Sequence, residues 1–167
     1  MLMTTAQWNI RLENEYKAMC AFPINSRFSW SVVPGQKPPR VKAYYVTYYV
    51  KTKVTKAGKI QNRTKVLITL SETPGGAPTV RIIEGEYPFH PNVYENGGIC
   101  LGNMWNKEPI LWKLVINIGK LLAFDPEHTN PGSPANGAAA ADWKEKQAKP
   151  HKPYPCDSVF FPHPVGY

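Results

Sequence analysis

The sequence predicts an α+β domain with an N-terminal helix, four strands in succession, a long structured loop and two further helices. Three observations predict it. Apolar residues recur at helical spacing near both ends of the chain. Between them lie short runs rich in β-branched and aromatic residues, punctuated by Pro and Gly. Runs of strands followed by runs of helices are the pattern of an α+β fold rather than of alternating βα units. A chain of 167 residues can bury a sizeable core, and 43% hydrophobic residues is an ordinary globular share.

The first helix is expected over Thr5 to Phe22. Trp8, Leu12, Tyr16 and Met19 share one face, while Arg11, Glu13, Asn14 and Lys17 take the others. Thr4 or Thr5 caps its start and Pro23 marks its end. Strands are expected at Phe28 to Val33, Ala43 to Val54, Arg63 to Leu70 and Thr79 to Ile83. Ala57-Gly58-Lys59 makes a hairpin turn between the second and third. From Glu84 to Pro109 no period is visible, yet Tyr87, Phe89, Val93, Tyr94, Ile99, Leu101, Met104 and Trp105 are too apolar for disorder. Such a loop is expected to be structured and functional.

Ile110 to Phe124 is the clearest helix, with Leu111, Leu114, Val115, Ile118, Leu121 and Leu122 on a buried stripe. Ser133 and Pro134 form a good start for a last helix over Ala135 to Ala148, with Ser133 as the cap. Residues 149–167 carry five prolines and no helical period, so residues 1–148 read as the domain and 149–167 as a proline-rich tail. Phe160, Phe161 and Tyr167 are the residues that would dock it.

Charge and cysteine content bound the function. The net charge is +8, partly from Lys51, Lys53, Lys56, Lys59, Arg63 and Lys65, a run without an acid. That invites a nucleic-acid or acidic-partner reading. No apolar run reaches the ~18 residues of a transmembrane helix, and the N-terminus lacks the pattern of a secretory signal. Cys20, Cys100 and Cys156 are an odd number at no paired spacing. A disulfide framework is thus not expected, and a reducing, cytoplasmic location is. His128, His151 and His163 form no metal-ligand pattern, so neither a metal nor a cofactor is expected.

The informative cluster is His90-Pro91-Asn92 followed by Gly97-Gly98-Ile99-Cys100-Leu101. Cysteine is the best side-chain nucleophile near neutral pH, and an asparagine amide can stabilise a developing oxyanion. By residue type alone, a Cys between Ile and Leu also fits a small buried hydrophobe, and a His before Pro fits a structural role.

Together these residues resemble the ubiquitin-conjugating enzyme family, whose UBC fold carries H-P-N, seven residues, then Cys-Leu. Pro74, Pro78 and Val80 are similar to the family's proline-marked turn. Glu108-Pro109-Ile110-Leu111 is similar to its loop before the long helix, and Asp125-Pro126 with Ser133-Pro134-Ala135-Asn136 to its next segment. The likeness covers roughly residues 5–148. It implies a UBC-like fold and a Cys100 that receives a ubiquitin-like protein as a thioester from a ThiF/UBA-like activating enzyme, then passes it to a target lysine. It implies that Asn92 stabilises the oxyanion or shapes the loop, and that His90, beside Pro91, is structural rather than a base. Ser133, or Asn130 under another alignment, would gate the incoming lysine, with Glu95, Asp125 and Glu127 as nearby acids. A metalloprotease deconjugase would accompany such an enzyme in a bacterial, antiphage-type system. Two departures stand out: Gly75 replaces an aromatic that contacts RING-type ligases in the family, and the tail replaces a final helix.

The alternative is a non-catalytic UBC-like binding module, although such members usually lack the cysteine. Nucleic-acid binding through the basic hairpin is disfavoured as the main function. A cysteine hydrolase would need the His90 imidazole within hydrogen-bond reach of Cys100.

Overall fold

The structure, a computed structural model, describes residues 1–167. Its elements are α1 (Thr5–Cys20), β1 (Phe28–Val32), β2 (Ala43–Tyr48), β3 (Thr52–Lys53), β4 (Ile60–Gln61), β5 (Thr64–Thr69), β6 (Thr79–Glu84), α2 (Met104–Lys107), α3 (Leu111–Leu122) and α4 (Gly137–Gln147). A 3-10 turn at Pro126–His128 joins α3 to α4. No helix is long and apolar enough to cross a membrane.

Thr4 caps α1. Its hydroxyl accepts the Gln7 N–H at 3.3 Å while the Gln7 side chain accepts the Thr4 N–H at 3.0 Å, a reciprocal capping box. Leu12 and Met19 are buried, and Trp8 and Tyr16 pack at the margin of the core. The same face also buries Glu15. Its carboxylate accepts the Leu111 N–H at 3.0 Å, so an acid on α1 caps the start of α3. Burial raises the Glu15 carboxyl above its usual range, against the lowering effects of the Leu111 N–H and the Arg11 charge.

The main sheet is a four-stranded antiparallel meander in the order β1-β2-β5-β6. Tyr44, Val46 and Tyr48 of β2, and Val66 and Ile68 of β5, are fully buried. The single strand expected over Ala43 to Val54 is in fact two. The Lys51 N–H leaves the ladder and donates to the Asp157 carboxylate at 2.8 Å. Thr52–Lys53 then pairs with Ile60–Gln61 in a separate hairpin.

The basic run is mostly neutralised by acids far away in sequence. Lys53 is buried, bonded to Asp142 at 2.5 Å and to the Tyr154 hydroxyl at 3.0 Å. Lys59 pairs with Glu86, and Arg63 and Lys65 share Glu84. Burial alone would raise the Asp142 carboxyl, but hydrogen bonds from Lys53 and Lys146 hold it below its ordinary value. A pair this deep is costly to break from one side, because the orphaned charge has no water.

One core cluster joins the inner faces of the sheet, α1 and α3 with loop residues Val93, Ile99 and Leu101 and with Trp105 of α2. The last helix starts later than the sequence predicts. The Pro91 carbonyl accepts the Ala135 and Asn136 N–H groups at 2.8 and 3.1 Å, and Asn136 is extended rather than helical. Asn136, not Ser133, is therefore the cap, accepting the Ala139 N–H at 3.0 Å. Residues 149–167 form no helix or strand, but they are tied down. Tyr154 stacks on Phe124 and Trp143, the Cys156 N–H donates to the Ala123 carbonyl at 2.7 Å, and Phe161 enters the main core. Phe160 and Tyr167 stay exposed.

Candidate active site

Cys100 is hung from the edge of the sheet. The Ile82 N–H donates to the Gly97 carbonyl at 2.8 Å and the Ile99 N–H to the Val80 carbonyl at 2.9 Å, so residues 97–99 bridge antiparallel to the outer side of β6. A turn closes behind them, with the Gly97 N–H on the Tyr94 carbonyl and the Tyr94 N–H on the Gly98 carbonyl. Gly97 has φ +83°, and a Cβ there would stand 2.7 Å from the Tyr87 ring. Both the backbone and the packing require glycine at that point. Cys100 emerges partly exposed, a free thiol.

The His90-Pro91-Asn92 segment locks the loop from the other side. The Cys100 N–H donates to the Asn92 carbonyl at 2.8 Å. The buried Asn92 side chain donates from Nδ2 to the Cys100 carbonyl at 3.1 Å and accepts the Asn130 N–H at Oδ1 at 2.9 Å. Both partners are backbone groups, which fixes the orientation of the amide. One side chain thus holds the cysteine loop against the segment after α3.

His90 is fully buried against Phe124, with ring centroids 4.4 Å apart. Its Nδ1 accepts the Asn92 N–H at 2.9 Å, so the proton of the neutral ring is on Nε2, which faces the Thr129 hydroxyl at 3.4 Å. Burial lowers its pKa to about 3, against a smaller raising effect of the Leu121 backbone. A neutral, enclosed imidazole with both nitrogens engaged is no base for Cys100, and the hydrolase reading loses its catalytic pair.

The sign of the consequence is definite. The unfolded chain binds a proton at His90 near pH 6.5 and the folded chain does not until about pH 3. The stabilising contribution of neutral His90 is therefore complete above pH 6.5 and is lost as pH falls toward 3, to an upper bound of about 5 kcal/mol. His90→Gln is expected to flatten that acid limb of the denaturation midpoint. An unchanged limb would mean that His90 titrates normally.

Asn130 belongs to this network, and its Oδ1 accepts the Gly132 N–H. Ser133 is exposed between it and α4. Of the candidate acids, Glu95 is exposed in the turn before Gly97, and Asp125 bonds His128. Glu127 lines a cleft of about 420 Å³ with Asn92, Asn130, Lys107, Lys120 and His128. Sequence reasoning missed Tyr94, whose exposed phenol has its pKa raised first by interaction with the neighbouring Cys100 side chain, whose thiolate form disfavours a second negative charge beside it. It also missed the Asp125–His128 pair, for which the spacing Asp-x-x-His was the available signal. Gly75, the departure in the proline turn, has φ +68° and gives its carbonyl to the Trp105 indole N–H at 3.3 Å.

The family follows from comparison with known proteins. A family model described as ubiquitin-conjugating enzyme matches residues 65–154, more than half of the chain, and the chain belongs to that family. Two curated relatives are similar over this stretch. "Ubiquitin-conjugating enzyme E2 2" of Mycosarcoma maydis is 39% identical over 85 residues, 48% of this chain and 43% of the relative. "Ubiquitin-conjugating enzyme E2 1" of Caenorhabditis elegans is 37% identical over 84 residues, 48% of this chain and 41% of the relative. The match spans under half the length of each. Among solved structures, S. cerevisiae Ubc12 superposes with a TM-score of 0.53 at 19% identity, over 82% of this chain and 71% of that one. That likeness shows the UBC fold.

Proposed function

We propose that this chain accepts a ubiquitin-like protein on Cys100 as a thioester from a ThiF/UBA-like activating enzyme and transfers it to a lysine of a target protein. The observation that carries the reading is the arrangement around Cys100. A partly exposed thiol stands on a loop held by both ends of the Asn92 amide, with no competing base on it.

A thioester retains enough free energy to form an amide without further ATP. The incoming amine attacks the acyl carbon, the C–S bond breaks and the Cys100 thiolate leaves. Negative charge gathers on the acyl oxygen during attack, where an amide N–H is worth most. The Asn92 amide stands beside Cys100, and a small rotation away from the Cys100 carbonyl would present its N–H to that oxygen. His90 and Pro91 keep the loop in shape through the Asn92 N–H and the Pro91 carbonyl. Asn130 and Ser133 flank the path by which the lysine enters.

We assign the catalytic unit to residues 1–148, with the proline-rich 149–167 as a strap on it. The setting that suits these features is a cytoplasmic bacterial conjugation system of antiphage type, with a metalloprotease deconjugase among its members.

The test is a trap in lysate of the native host supplied with ATP. Tagged wild type and Cys100→Ala are recovered and run without reductant. The expected result is a small-protein adduct on wild type only, released by thiol, whose mass names the modifier. An adduct that persists on Cys100→Ala would sink the assignment of Cys100. No adduct in the presence of a demonstrably active activating enzyme would favour a binding module.

A further inference from the structure

The basic run of the sequence meets two other segments at one end of the molecule. The β3–β4 hairpin, the last turn of α4 and the proline-rich strap converge there on a cavity of about 340 Å³. Its lining is mostly apolar or small, with Ala57 and Ile60 from the hairpin and Pro153, Tyr154 and Cys156 from the strap. Ile60 is 44% exposed although it is a large aliphatic residue. Burial pushes the Cys156 thiol up to about 11 and the Tyr154 phenol up to about 12, so the inner wall is poorly hydrated. The mouth is open because the hairpin tip carries no bulk. Ala57 and Gly58 are exposed, and nothing stands within 4 Å of a Cβ at Gly58.

Cations surround this cavity in excess of their acids. Lys53 and Lys146 belong to its lining and share one carboxylate, Asp142, at 2.5 and 2.9 Å. Lys146 also donates to the Lys56 carbonyl at 3.2 Å, which binds α4 to the hairpin tip. Lys59 pairs with Glu86 and Lys149 with Glu145, through exposed side chains whose attraction is weak. Lys56, Lys144 and Lys152 are exposed and pair with no acid. Two of these three, Lys56 and Lys152, stand next in the chain to the lining residues Ala57 and Pro153.

We propose that this end of the molecule is a docking surface for an acidic peptide segment of a partner protein, with one apolar side chain of that segment seated in the cavity. The surface specifies both features. Surplus lysines attract and orient an anionic chain, chiefly by speeding its association. The apolar hollow selects what that chain carries. A cavity near the ~300 Å³ lower limit of small-molecule sites suits a side chain rather than a cofactor. A phosphate backbone would satisfy the lysines but leave the hollow unfilled. The cavity shares no lining residue with the cleft at Asn92 and Asn130, so the segment docks without entering the acyl-transfer site. It is tied to the active-site loop nonetheless, since the Phe89 N–H, one residue before His90, donates to the Lys53 carbonyl at 3.0 Å. The surface does not depend on the carrier role of Cys100.

The experiment measures binding to the full chain by fluorescence anisotropy. The probes are labelled peptides in which acidic residues flank a central Phe or Leu, the same peptide with a central Ala, and a single-stranded oligothymidylate. The expected result is that the Phe or the Leu peptide binds about 10- to 100-fold more tightly than the Ala peptide, the gain from burying one large apolar side chain. Binding should weaken as salt rises. Lys56→Glu combined with Lys152→Glu should lower the affinity for every acidic peptide about tenfold or more. Ala57→Tyr, which sets a ring across the mouth, should abolish only the preference for Phe or Leu over Ala. Cys100→Ala should bind like wild type. The two lysines and Ala57 are exposed, and unmoved denaturation midpoints verify that these variants fold.

Phe and Leu peptides that bind no more tightly than the Ala peptide overturn the proposal, as does the absence of binding at low salt. Oligothymidylate that binds more tightly than the peptides, and is insensitive to Ala57→Tyr, makes the surface a nucleic-acid site and also overturns it. Anchored peptide binding by a chain that ATP and activating enzyme never load would support this surface while removing the carrier role.

Discussion

Phe161→Ala is expected to destabilise the protein by about 3–5 kcal/mol, the range for removing a fully enclosed phenylalanine. Phe161 is 3% exposed and belongs to the main core, although it lies among prolines in a segment without helix or strand. Its socket is built for it. A Cβ on Gly119 of α3 would stand 2.6 Å from the Phe161 ring, so α3 uses a glycine where a helix would gain from alanine. The Arg27 guanidinium lies over the ring, 5.7 Å from its centroid, and also pairs with Asp157 at 3.2 Å. Gly119→Ala is expected to lose stability in the same direction by expelling the ring. Phe160→Ala, 76% exposed, should stay within about 0.5 kcal/mol of wild type. Denaturant midpoints at constant slope measure all three. If Phe161→Ala lies within about 1 kcal/mol of wild type, the segment from 149 onward is not packed in the core in solution.

The contrast between neighbours 160 and 161 shows what a sequence can and cannot say. α1 and α3 were legible because each buries one stripe at helical period. The four strands were legible because β-branched and aromatic runs alternate with Pro and Gly. The split of the second strand was not, because the group that captures the Lys51 N–H is Asp157, 106 positions away. The true cap of α4 was hidden for the same reason, since a carbonyl at Pro91 decides it. The basic run looked like an open charged face because its acids, Glu84, Glu86 and Asp142, come from other elements.

In the site, His90, Pro91, Asn92 and Cys100 lie close enough in sequence to be read as one motif, and the structure joins them in one hydrogen-bond network. Asn130 enters that network by its backbone, a contact no side-chain pattern announces. Tyr94 and His128 reach the site only through the turn at residues 94–98 and the 3-10 turn after α3, which sets His128 in the cleft with Asn92 and Asn130.

The network makes Asn92 the most informative single position. Asn92→Ala is expected to slow acyl transfer from Cys100 to lysine by about 10²–10³, the usual loss for one oxyanion donor. It also leaves the Cys100 carbonyl and the Asn130 N–H without their partner, which should cost about 1–3 kcal/mol of stability. The two roles of the side chain separate by readout. If Asn92 only holds the loop, thioester loading, transfer and the denaturation midpoint should fall together. If it stabilises the oxyanion, loading should persist while transfer collapses.

Asn92→Asp sharpens the distinction because it keeps the shape and the acceptor for the Asn130 N–H. Its second oxygen then faces the Cys100 carbonyl with a negative charge in place of an N–H, which repels both that carbonyl and a developing oxyanion. Transfer by Asn92→Asp should therefore be slower than by Asn92→Ala at neutral pH. It should partly recover below the pKa of the new carboxyl, where its O–H can donate. Transfer by Asn92→Asp at or above the Asn92→Ala rate across the pH range would mean that no negative charge builds near this side chain, and its work would then be to hold the loop.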